Sequence, residues 1–108
     1  MLVTVSERKD RARMRLRRAS QQAIADLRAY AEAQGGRFLV FGSTARDDLK
    51  HDSDFDVIID FPPGKGLEAR LHTEEVLRRH GLVPDVLLLS EASDGLLARV
   101  RHDALSLP

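Results

Sequence analysis

The sequence has no cysteine, few aromatic residues (5%) and no excess of charge of either sign. Without cysteine there can be no disulfide, no thiolate zinc site and no thiol nucleophile. No apolar run approaches the roughly 20 residues that a bilayer-spanning helix needs. The opening MLVTVSERKD lacks the basic-then-apolar order of a signal peptide. These absences lead to the expectation of a cytoplasmic protein with no membrane partner. What is present fits one domain over residues 1–108: 43% of the side chains are hydrophobic, too many for a disordered chain, and 31% are charged, as in an ordinary globular protein.

The balanced charge hides an asymmetry. Residues 1–18 hold seven basic side chains (Arg8, Lys9, Arg11, Arg13, Arg15, Arg17, Arg18) against Glu7 and Asp10. Residues 43–60 hold six aspartates against Arg46 and Lys50. The basic end has no aromatic residue before Tyr30, so it lacks the stacking surface that usually accompanies nucleic-acid binding, and nucleic acid is not the expected partner.

Hydrophobic periodicity gives alternating helices and strands. Ser6 suits an N-cap, and residues 7–34 carry Leu16, Ala19, Ala23, Leu27, Tyr30 and Ala31 on one helical face, stopped by Gly35-Gly36. Residues 37–41 read as a buried strand, and Thr44–Lys50 as one or two helical turns capped by Ser43. A second strand covers about 54–61. A helix covers 67–80 with Leu71 and Leu77 facing inward. A third strand covers 82–89, and a last helix carries Leu96, Leu97, Val100 and Ala104. The expected class is α+β, a small mixed sheet with helices on one face. The domain is expected to comprise a basic N-terminal helix (1–36), a core (37–89) and a C-terminal helix (90–108).

The second strand carries the chemistry. In DFDVIIDF, alternation sends Phe55, Val57, Ile59 and Phe61 to one face and Asp54, Asp56, Ile58 and Asp60 to the other. Carboxylates two residues apart on a strand repel unless a cation lies between them. Mg²⁺ suits that place, because it prefers carboxylate oxygen and keeps room for water and substrate phosphates. Paired Mg²⁺ ions recur in phosphoryl and nucleotidyl transfer. Asp85, on the third strand, is placed to be a third ligand if the register permits. Upstream, Gly42-Ser43 follows a buried strand. Glycine lets the backbone approach a phosphate closely, and the serine hydroxyl and nearby N–H groups can hold its oxygens.

Gly42-Ser43, ten residues, then Asp54-Phe55-Asp56 resembles the signature of nucleotidyltransferases with the DNA polymerase β-like fold. The string Phe41-Gly42-Ser43-Thr44-Ala45-Arg46, followed by Ser53-Asp54-Phe55-Asp56-Val57, is similar to the minimal nucleotidyltransferase (MNT) group over residues 37–89. The resemblance implies an Mg²⁺-dependent enzyme that moves AMP from ATP onto a hydroxyl of a protein partner, a HEPN-domain ribonuclease toxin for which it is the antitoxin. It implies Asp54, Asp56 and Asp85 as metal ligands and catalytic residues, with Asp85 helping to deprotonate the acceptor, and Gly42, Ser43 and Arg46 on the nucleotide phosphates. The alternative is an antitoxin that blocks its partner sterically, with a vestigial site. One departure is Asp47, where the family often has glycine; an acid there weakens a phosphate-binding loop.

Other residues have plainer readings. Asp52 and Asp60 are expected in solvent or in supporting roles. Pro63-Gly64-Lys65-Gly66 lacks the Walker spacing and reads as a turn. His51, His72, His80 and His102 show no metal-ligand spacing and read as surface or helix-end residues.

Overall fold

A computed structural model describes residues 4–46 and 54–108. Helix α1 runs from Val5 to Gln34. Its N-cap is Thr4 rather than the expected Ser6: the Thr4 hydroxyl accepts from the Glu7 N–H at 3.1 Å, which satisfies a donor that the first turn leaves without a helical partner. Gly35 closes the helix at φ 74°, a left-handed conformation that glycine adopts without strain, and its N–H donates to Ala31 O.

The remaining elements are β1 (Arg37–Phe41), β2 (Asp54–Asp60), α2 (Gly66–Arg79), β3 (Val83–Leu88), a 3₁₀ turn (Leu89–Glu91), α3 (Asp94–Asp103) and β4 (Leu105–Leu107). The sheet order is β3-β2-β1-β4. β1 is antiparallel to β2 and β4, whereas β2 and β3 are parallel, joined by α2 as the crossover that parallel pairing requires. The result is the expected α+β fold with a mixed sheet. The turns at residues 44–50 fall only partly in view: the Arg46 N–H bonds to Gly42 O at 3.2 Å, and residues 47–50 lie outside the described residues.

One face of the sheet presents Phe38, Val40, Phe55, Val57, Ile59 and Leu107 to the helices. Ala23, Leu27 and Ala31 from α1 and Ala69, Val76 and Leu77 from α2 complete this core. Leu77 faces inward as expected, but Leu71 is 62% exposed. The buried set on α2 is Ala69, Thr73, Val76 and Leu77, and Leu71 lies two residues from both Ala69 and Thr73, on the opposite side of the helix. Thr73 tolerates burial because its hydroxyl donates to Ala69 O at 2.7 Å.

The chain's last segment is not helical throughout. α3 is capped by Ser93, whose hydroxyl accepts from the Leu96 N–H, and ends before Ala104, after which β4 pairs with β1 and buries Leu107 completely. α3 lies against β1, and its Val100 is buried outside the main core, as is Ile58 on the second face of the sheet.

The phase of both helices is testable by urea denaturation. Leu27→Ala is expected to cost about 2–5 kcal/mol, as for a fully buried leucine. Leu71→Ala is expected to stay within about 0.5 kcal/mol of wild type. A large loss at Leu71 would contradict the inward face assigned to α2.

Candidate active site

The register brings the acidic residues to one end of the sheet. Parallel pairing sets Asp56 directly beside Asp85, and antiparallel pairing sets Phe41 beside Asp56 from the other flank. Adjacent strands are about 4.8 Å apart, so the Asp56 and Asp85 side chains leave the same face as close neighbours. Asp54 follows the same alternation one pleat away, at the start of β2. Asp54 and Asp85 are exposed, and Asp56 is half-buried between them.

Gly42 follows β1 directly and presses against this group. Its φ is 71°, and a Cβ there would collide with Asp56 Oδ2. Glycine is thus required twice over, for the backbone conformation and for the close approach of main chain to carboxylate. Ser43 is half-buried in the same turn and Arg46 is exposed at its end. Thr44, which the sequence reading placed in a helical turn and gave no role, is buried, and its hydroxyl has no hydrogen-bond partner among the described residues. Asp47 and Asp52 lie outside the described residues.

The Asp56 and Asp85 carboxyls are close enough to hydrogen-bond when one of them carries a proton. The Asp56 pKa is accordingly pushed up to about 7. Burial is the largest cause, followed by the Asp85 hydrogen bond and the charges of Asp85 and Asp54, with the Arg46 guanidinium pulling the other way. Among the described residues, no three of His, Cys, Asp or Glu gather closely enough to form a metal centre of protein ligands alone. Asp56 and Asp85 are the adjacent pair in the register, and Asp54 adds charge at their rim. Two carboxylates crowded until they share a proton suit a hard dication, since Mg²⁺ takes one or two carboxylates and fills its shell with water and phosphate oxygen.

The structure separates other residues from this group. Asp60, at the far end of β2, pairs with Arg37 at 2.7 Å. A hollow of about 470 Å³ lined by Phe61, Pro62, Gly64 and Leu88 also lies at that far end, away from every candidate residue. Residues 63–65 form the expected turn, with Gly66 already opening α2, and Lys65 Nζ donates to Gln34 O at 3.1 Å. His72 is not a plain surface residue: its ring stacks on Tyr30 with centroids 4.0 Å apart, and burial lowers its pKa. His80 pairs with Asp26 at 2.9 Å.

The sequence model of the nucleotidyltransferase domain matches residues 21–106. The chain belongs to the nucleotidyltransferase domain family. Nucleotidyl transfer is therefore its chemistry, and an NTP with a divalent metal is what such domains generally use. No curated protein and no solved structure gives a significant match. In this nucleotidyltransferase domain the match extends beyond residues 37–89 to take in the second half of α1, all of α3 and the first two residues of β4. It begins at Gln21, so the basic half of α1 lies outside it.

The shared proton gives the metal-free protein a distinctive pH dependence. The Asp56 pKa is about 7 when folded and 3.8 as an ordinary side chain, so its proton contributes stability that is full below 3.8 and lost as pH rises towards 7. Without added metal, the Tm of wild type is expected to fall relative to that of Asp56→Asn between pH 5 and pH 8. A constant difference between the two proteins would contradict the carboxyl pair.

Proposed function

We propose that this domain is an Mg²⁺-dependent nucleotidyltransferase that moves AMP from ATP onto a hydroxyl of a protein partner, a HEPN-domain ribonuclease toxin that it silences. The observation that carries the reading is the crowding of Asp56 against Asp85 and of Gly42 against Asp56, which sets a carboxylate pair beside a glycine turn. Asp56 and Asp85 would hold the metal, with Asp54 beside them. A bound dication supplies positive charge that stabilises charge developing on the phosphoryl oxygens.

The chain's own groups divide the remaining work. The Gly42 turn offers main chain, and Ser43 a hydroxyl, to the β and γ phosphates. Arg46, which already acts on Asp56 electrostatically, is within reach of the same anion. Asp85 accepts the proton of the acceptor hydroxyl. The acceptor oxygen forms its bond to the α-phosphorus, the bond from that phosphorus to the α–β bridging oxygen breaks, and pyrophosphate leaves. Among the described residues no helix is long and apolar enough to cross a membrane.

A second reading is favoured by the lack of a three-ligand cluster among the described residues and by the acidic Asp47 that follows Ala45-Arg46 in the sequence: an antitoxin that blocks its partner by binding alone. Incubation with α-labelled ATP, Mg²⁺ and a HEPN-domain partner separates the two. The enzyme reading expects the partner to gain one adenylyl group. An Asp54→Asn, Asp56→Asn double variant should still bind the partner while transfer falls by several orders of magnitude. Equal protection of cells by variant and wild type, with no mass gain, would establish the steric reading instead.

A further inference from the structure

The amino-terminal half of α1 has no fully buried residue and no part in the carboxylate site; only Leu16 and Ala19, both half-buried, reach the edge of the core. All the buried residues of α1 lie from Ser20 onward. Before them the helix continues as a projecting arm, with Val5 67% and Met14 63% exposed. The arm is nevertheless amphipathic. At 100° per residue, Val5, Ala12, Leu16 and Ala19 fall within an arc of about 60°. That stripe lines one wall of a groove of about 780 Å³ whose other wall is His80 and Gly81, at the end of α2.

Charge flanks the stripe on both sides. Arg8, Arg11, Arg15 and Arg18 lie along one border, and Lys9 and Arg13 along the other, so the segment through residue 18 is strongly positive. We infer that this half of α1 is a docking surface for an acidic amphipathic helix of a partner protein. An apolar seam bordered by cations matches an apolar seam bordered by carboxylates, as in paired helices whose flanking charges choose the partner. Residues 5–19 extend about 22 Å, four turns, enough to seat a partner helix of similar length. A second copy is disfavoured, because two such arms would bring like charges together along their whole length. A nucleic acid has no use for the apolar seam and would be served better by cations gathered on one face. The inference does not depend on nucleotidyl transfer, since residues 5–20 lie outside the matched family.

The test uses the full chain and a labelled peptide of about 18 residues with leucines at helical three-and-four spacing bordered by glutamates. Its controls are the same peptide scrambled so that the leucines no longer align, a single-stranded RNA and an RNA duplex. At physiological salt the acidic amphipathic peptide should bind by fluorescence anisotropy with a micromolar Kd, and the scrambled peptide at least about tenfold more weakly. Arg8→Glu with Arg15→Glu should lose the acidic peptide and gain the counterpart bordered by lysines. Both positions are exposed, so the helix content and Tm of this variant should match wild type. Tighter binding of either RNA, equal binding of the scrambled peptide, no binding of any probe, or self-association that the charge reversal abolishes would each overturn the inference.

Discussion

Two carboxyl groups that repel each other are held side by side because the strands that carry them cannot move apart. Asp56 and Asp85 face each other across a parallel pair, and the register of that pair is fixed by residues on the opposite face of the sheet. Phe55, Val57 and Ile59 are buried against α1 and α2, and a slip of one residue would turn them to solvent while driving the aspartates into the core. At about 25 cal/mol per Å² of apolar surface, burial of three large side chains outweighs one repulsive contact at a partly solvated strand end. The fold thus enforces a contact that the carboxyls would not choose, and a shared proton or a cation relieves it.

The same constraint explains the turn beside it. β1 ends opposite Asp56, so the chain leaving β1 must pass over that carboxylate. Only glycine permits the passage, since Gly42 combines a positive φ with a distance to Asp56 Oδ2 that no Cβ could share. Main chain and carboxylate are therefore brought together by strand register, which is how a site for a phosphate and its metal arises on a sheet with so small a core.

Much of this was legible in the sequence because it depends on short-range periodicity. The two faces of β2 follow from alternation, the end of α1 from Gly35-Gly36, and the site from the spacing of Gly42-Ser43 to Asp54 and Asp56. Asp85 could be nominated, but its register could not, since pairing between strands is set by packing elsewhere. The features that escaped are those decided by tertiary context. β4 is three residues long, too short for a pattern to declare itself, and its Leu107 is buried only because β1 offers an edge. Leu71 seemed an inward residue by type, whereas the small Ala69 and the hydroxyl-bearing Thr73 take the inner face and let α2 lie close to the sheet. The stacking of His72 on Tyr30 joins two helices far apart in the chain, which no local pattern encodes.

The central claim is that the Asp56–Asp85 pair and the Gly42 turn form one site for a metal and a nucleotide. Mn²⁺ is paramagnetic and takes carboxylate and phosphate oxygen as Mg²⁺ does. Amide resonances of the ¹⁵N-labelled protein, recorded with substoichiometric Mn²⁺ and a non-hydrolysable ATP analogue, therefore report directly on where both lie. The account predicts broadening strongest at Gly42, Ser43, Asp54, Asp56 and Asp85, with the resonances of Asp60 and of Gly64 and Lys65 before α2 broadened less. Broadening centred on that far end of β2, or spread evenly over the exposed carboxylates, would contradict it.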